Sequence, residues 1–176
     1  MKRIIMFCTV LFIMAMNAMA QRQQAGELSS GMSTFCIAKD GKAATIVVDN
    51  QDWKGVIRAA NDLCDDVRKV TGTACTLSSS LSSDKSILVG TIGRSSVIDK
   101  LVKQKKLDVS KVKGQWESFV IDIVDGNLVV AGSDKRGTIY GIYEISQRIG
   151  VSPWYWWADV PVAKHKEVFV EKCNVE

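Results

Sequence analysis

The chain has 176 residues, 47% hydrophobic and 24% charged, with two prolines and thirteen glycines, a profile that excludes a disordered or fibrous protein. Its net charge is +4 at pH 7, and two of the positive charges, Lys2 and Arg3, sit at the very start. What remains is too weakly basic to point to a nucleic acid or an anionic membrane as partner.

Residues 1–20 read as a signal peptide. Lys2-Arg3 precede an apolar run from Ile4 to Met16, and Ala18-Met19-Ala20 offers a small-x-small cleavage site before Gln21. The run is too short to span a bilayer comfortably, and Cys8 lies inside it rather than after it, which speaks against a lipid anchor. The expectation is a secreted or periplasmic protein, free of the membrane once cleaved near Ala20-Gln21. Residues 21–33 are polar and without periodicity, an arm leading into the domain.

Thr34 to Ala38 and Thr45 to Val48 are β-like runs around Lys39-Asp40-Gly41-Lys42, so the sequence predicts a hairpin there. Asp52 is placed to cap a helix with apolar residues at Trp53, Val56, Ile57, Ala60, Leu63, Cys64, Val67 and Val70, and Gly72 is a natural stop. Leu77 to Lys85 is serine-rich and reads as a loop, and Ser86 to Gly90 as an interior strand. Gly93-Arg94-Ser95-Ser96 opens a second helical pattern through Val97, Ile98, Leu101 and Val102, ending in the basic run Lys103 to Lys106. Glu117 to Val124 and Asn127 to Ala131 flank Asp125-Gly126, a strong hairpin signal, and Val120 beside Ile121 predicts cover on both faces.

A third helix is predicted over Thr138 to Ile149, with Ile139, Ile142, Tyr143 and Ile149 on one side and Gly150 and Pro153 ending it. Gly137 and Gly141, four apart, would let that helix approach a neighbour closely. The chain holds five Trp and three Tyr, and four of these are consecutive from Trp154 to Trp157. In an extended segment Trp154 and Trp156 would face one way and Tyr155 and Trp157 the other. A bare patch of that size calls for cover by a partner domain, another chain or a ligand. The whole pattern predicts a layered α+β or α/β domain with a mixed β-sheet and about three helices.

Several chemistries have no residues to carry them. The single His165 stands in a Lys-His-Lys context that reads as solvated, which leaves no base for a nucleophilic triad and no metal set. Gly90-Thr91-Ile92-Gly93 falls short of a dinucleotide fingerprint, so no cofactor is expected. Beyond the leader lie Cys36, Cys64, Cys75 and Cys173; three pairings are open to them, no Cys-x-x-Cys occurs, and Cys64 on its apolar stripe reads as a small buried hydrophobe. Asp65, Asp66, Asp122 and Glu144 read as solvated or capping carboxylates rather than a glycosidase pair. Asp159 differs, because it follows the aromatic cluster directly, and a carboxylate beside aromatic rings can bind sugar hydroxyls.

Ile87 to Thr91, the hairpin Glu117 to Ala131, Gly132-Ser133-Asp134-Lys135-Arg136-Gly137-Thr138-Ile139-Tyr140-Gly141-Ile142-Tyr143, and Gly150-Val151-Ser152-Pro153-Trp154-Tyr155-Trp156-Trp157-Ala158-Asp159-Val160-Pro161 together resemble the amino-terminal region of glycoside hydrolase family 115. Those enzymes are inverting xylan α-glucuronidases. The resemblance implies an accessory α/β domain over residues 34–160, similar to the domain preceding the barrel in β-hexosaminidases and α-glucuronidases. It implies residues 161–176 as the start of a linker toward a catalytic TIM barrel absent from this sequence.

The family's catalytic acid and base have no positions here, so this chain is expected to be inactive alone. By the same resemblance, Asp134, Lys135, Arg136 and Gly137, and Trp154, Tyr155, Trp156, Trp157 and Asp159, are candidates for the interface with the barrel or the edge of its substrate pocket. The partner is then that barrel, with xylan or glucuronoxylan as substrate of the whole. Two other readings are a free-standing carbohydrate-binding module using the Trp154 to Trp157 ledge, and a domain docking in trans on a separately encoded barrel.

Overall fold

Four short strands with apolar residues on both faces form the centre of the molecule: Thr45–Val48 (β3), Ser86–Thr91 (β5), Phe119–Val124 (β6) and Asn127–Gly132 (β7). The computed structural model describes residues 34–81 and 85–174; the expected signal peptide at 1–20 and the arm at 21–33 lie outside them. With Leu77–Ser78 (β4) and Cys173–Asn174 (β9) they make a six-stranded sheet in the order β4-β3-β5-β7-β6-β9. The first three pairings are parallel and the last two antiparallel, so the sheet is mixed.

The two-residue period of a strand sorts the side chains between two cores. Ile46, Val48, Ile87, Val89, Ile121, Leu128 and Val130 face one; Val47, Leu88, Val120, Val129 and Ala131 face the other. The hairpin is covered on both sides, as Val120 and Ile121 predict. Asp125 and Gly126 both take positive φ, 50° and 78°, as a two-residue turn matched to the strand twist requires.

On the first face lie helices Lys54–Thr71 (α1) and Lys135–Arg148 (α3). Of the predicted stripe, Val56, Ala60, Leu63, Val67 and Val70 of α1 are fully buried, each Val or Leu contributing about 1.5–3 kcal/mol by leaving water, while Ile57 and Cys64 are only half-buried and Trp53 is exposed. Gly72 ends the helix at φ 80°, its N–H bonded to Arg68 O at 2.8 Å. Ser96–Lys103 (α2), opened by Ser95, and the segment carrying Leu107, Val109 and Val112 cover the second face.

The strand expected to pair with Thr45–Val48 goes elsewhere. Thr34–Lys39 (β1) turns at Asp40-Gly41 onto Lys42–Ala43 (β2), and with Val168–Glu171 (β8) makes a separate three-stranded antiparallel sheet. Ile46, Val47 and Val48 are all buried, and a strand apolar on both faces needs cover on both, which a two-stranded hairpin does not give. Residues 161–176, expected as the start of a linker, instead carry β8 and β9, each paired to the domain. Val168 and Val170 are buried against Phe35, Ile37 and Ala38, while Phe169 between them is exposed. The His165 side chain is exposed as expected, while its N–H reaches Val70 O at 2.9 Å, at the end of α1.

Candidate functional site

Helix α3 separates the two candidate blocks. Its fourteen residues span about 20 Å, with Asp134 to Gly137 at one end and Trp154 to Asp159 beyond the other. They are therefore two separate sites rather than a single cluster.

At the amino end, Asp134 caps the helix and so starts it three residues before Thr138. Its Oδ1 accepts from Gly137 N at 2.8 Å and its Oδ2 from Glu117 N at 3.0 Å. Burial by itself pushes the Asp134 carboxyl up, yet these hydrogen bonds and the nearby Arg136 charge prevail and hold it below the usual carboxylate value. Gly137 is pressed so closely onto the residues leading into β6 that a Cβ there would lie 2.3 Å from Ser118 O; at Gly141 it would lie 2.7 Å from Val130 Cγ1. The close approach predicted for the glycine pair is thus realised against β6 and β7. Lys135 and Arg136 face outwards; Arg136 pairs with Glu117 Oε1 at 2.8 Å and donates to Tyr140 Oη at 2.9 Å.

Behind this end lies a polar network that sequence reasoning missed. Asp52, expected as the cap of α1, is only 5% exposed. Its carboxylate accepts from Thr91 N at 2.7 Å, from Thr91 Oγ1 at 2.8 Å and from Trp53 N at 2.7 Å. The Thr91 hydroxyl, its proton on Asp52, accepts from that of Thr138 at 2.9 Å, and Thr138 N donates to Asp134 O at 3.0 Å. The carboxyl end of β5 is thereby stitched to the first turns of α1 and α3. Trp53 occupies the cap position, half-exposed with the Arg94 guanidinium stacked 3.9 Å from its ring centre. Nearby, the Ser96 hydroxyl donates to Asp49 at 2.7 Å, and with the Gln51 and Ser96 N–H groups it holds the Asp49 carboxyl below its usual value.

At the carboxyl end, the extended segment expected from Trp154 to Trp157 is a single helical turn, Tyr155–Ala158 (α4). Ser152 nucleates it: its O accepts from Tyr155 N at 3.0 Å and its hydroxyl from Trp154 N at 3.1 Å. Helical spacing puts Trp154 and Trp157, three apart, on the same side, 65% and 84% exposed. Tyr155 turns inwards onto the main core with Lys69 Nζ 4.7 Å from its ring centre. The Trp156 side chain is outside the described part of the structure. Asp159 closes the turn in the left-handed region at φ 47° and is exposed.

Between the blocks runs an open groove of about 540 Å3 lined in part by Asp66, Tyr140, Tyr143, Glu144, Ser146 and Tyr155. Sequence periodicity put Tyr143 toward the core, but it is half-exposed, and its hydroxyl donates to Asp62 at 2.9 Å. Burial and that carboxylate push the Tyr143 hydroxyl up to about 12. Glu144 is tied to Arg148 at 2.8 Å and Asp66 to Lys69 at 2.8 Å, so the groove's acids are engaged by neighbouring cations. Ser146 Oγ, in a residue 3% exposed, has no partner among the described residues. Among those residues no three His, Cys, Asp or Glu side chains gather as a metal-ligand set would, and no helix is long and apolar enough to cross a membrane.

The profile of the family described as glycosyl hydrolase family 67 N-terminus matches residues 37–145. Among solved structures, the chain is similar to a family GH115 4-O-methyl-α-glucuronidase, BtGH115A, described as specific for decorated arabinogalactans, at 35% identity and a TM-score of 0.66. That likeness covers 76% of this chain and 17% of the other. A mutant Streptomyces plicatus β-hexosaminidase bound to its product matches at 12% identity and a TM-score of 0.46, over 81% of this chain and 23% of that one. The GH20 β-N-acetylhexosaminidase of Streptomyces coelicolor matches at 13% identity and 0.44, over 81% and 24%. No curated protein matches the chain.

Proposed function

The chain belongs to the glycosyl hydrolase family 67 N-terminus family, and from that premise we propose that it is the non-catalytic accessory domain of a xylan α-glucuronidase of the family 115 kind, built to seat against a catalytic TIM barrel. It spans 17% of the length of the glucuronidase it resembles, so hydrolysis is assigned to the part of such an enzyme beyond this likeness. The state of the acids around α3 supports this. Asp134 caps a helix, Asp52 holds Thr91, and Glu117, Asp66 and Glu144 are each paired with a cation, which leaves none of these carboxylates placed as a general acid opposite a second.

One observation carries the docking reading: Trp154 and Trp157 present their rings on one side of a helical turn, and the outer side of α3 continues toward them through Arg136, Tyr140 and Tyr143. Aromatic rings with an arginine beside them are the usual anchors of a buried interface. Export of the assembly is supported by the pattern of residues 1–20.

The test titrates the chain against an α-glucuronidase barrel produced without its own amino-terminal domain. Replacing Trp154 and Trp157 by Ala should weaken binding at least tenfold, about 1.4 kcal/mol or more. Unchanged affinity overturns the docking face, and release of uronic acid from glucuronoxylan by this chain alone, above a heated control, overturns the non-catalytic assignment. The same exposed pair favours one second reading, a carbohydrate-binding ledge. Retardation in a glucuronoxylan gel, lost in the same double variant and unaccompanied by barrel binding, would select it.

A further inference from the structure

The left-handed Gly72 at the end of α1 reverses the chain, and the reversal lays the next segment back along the helix. The Thr71 hydroxyl, which donates to Val67 O at 2.8 Å and accepts from Thr73 N at 3.1 Å, pins the turn. Further on, Thr76 O accepts from Ile46 N at 2.8 Å and fixes the entry to β4 beside β3. Cys75 sits between those two anchors, and Cys64 sits on the helix it returns to. Their thiols hydrogen-bond to each other, both side chains are half-buried, and both rest on the main core. Neither position has freedom to drift, since one belongs to a buried helix and the other to a segment held at both ends.

We propose that Cys64 and Cys75 are a modification site that closes to an intramolecular disulfide on meeting a disulfide-bearing oxidant, tying α1 to the edge strand β4. With oxidised glutathione, Cys64 Sγ attacks one glutathione sulfur, the S–S bond breaks, and a glutathione thiolate leaves. Cys75 Sγ then attacks the Cys64 sulfur of the mixed disulfide and expels the second glutathione. The two protein thiols lose two protons and two electrons, and one glutathione disulfide becomes two glutathione thiols. The Cys75 thiol donates to Cys64 and lowers its pKa, whereas the same hydrogen bond and burial raise that of Cys75. Once Cys64 enters the mixed disulfide, the Cys75 thiol is left beside its sulfur, in place to attack it.

The site is matched to what it fastens. Strand β4 is only two residues long and lies at the sheet edge, held by the pairs Ile46 with Leu77 and Val47 with Ser78. Export, expected from residues 1–20, would take the chain to a compartment where such bonds persist.

Equilibration of the full chain in an oxidised glutathione buffer, alkylation of remaining thiols and non-reducing tryptic mapping test this, because Arg68 and Lys69 lie between the two cysteines and their peptides separate unless joined. The expected result is a joined Cys64–Cys75 peptide pair with Cys36, exposed on β1, alkylated. Separate alkylation of Cys64 and Cys75, or either one joined to Cys36 or Cys173, overturns the proposal. Oxidation should also raise Tm by roughly 5–10 °C, a shift lost in Cys64→Ala and Cys75→Ala. Should those variants fail to fold, the peptide map of the unsubstituted chain decides.

Discussion

At the amino end of α3 the polar side chains answer one another inside the domain, whereas at its carboxyl end two indoles are turned outwards. Asp52, Thr91, Thr138 and Asp134 form one hydrogen-bonded chain, and Gly137 and Gly141 bring the helix down onto β6 and β7. Trp154 and Trp157 stand on a four-residue helical turn held by Ser152, with most of their surface in solvent. The contrast teaches that two blocks resembling one family's sequence can serve different ends, the first by fixing the fold and the second by presenting a surface. Buried polar groups are tolerated when they are paired, and large exposed rings when something else is meant to cover them.

The sharpest way to break the contrast is Gly137→Ala. The added Cβ would meet backbone at Ser118, which cannot swing aside, so a loss of about 3 kcal/mol is expected, read as a fall in the urea midpoint. Asp52→Ala comes next, at about 2 kcal/mol, because it orphans the buried Thr91 N–H and hydroxyl; a thermal melt reads it, and an unchanged Tm would dissolve the proposed stitch.

Asp134→Ala removes a helix cap at about 1 kcal/mol and adds a pH signature. The folded carboxyl titrates below its unfolded value, so its contribution is complete above the unfolded pKa near 4 and disappears as pH falls through the lower folded one. Wild type and variant should therefore converge in stability in acid and separate above about pH 4. At the opposite end, Trp154→Ala and Trp157→Ala should each shift stability by less than about 0.5 kcal/mol while weakening partner binding. A large stability loss there would show that the rings serve this domain's own packing.

Local signals carried much of the fold. The α1 stripe with its Gly72 stop and the Asp125-Gly126 hairpin depend on neighbours a few residues apart, and both stand where the pattern puts them. What was illegible depends on distant residues. β3 leaves the predicted hairpin because β5 and β4 flank it, and β8 pairs with β1 across the length of the chain. The site was half legible. The Trp block announces itself by composition, but its helical turn comes from Ser152, and Tyr143 faces outward where an apolar periodicity put it inward. Nothing local distinguishes Asp52 as the partner of Thr91, thirty-nine positions away.

The pairing of β1 with β8 sets Thr34 directly opposite Glu171. The chain therefore enters the fold beside the strand that leads to β9, so tension on the segment before Thr34 loads the small three-stranded sheet before it reaches the central one.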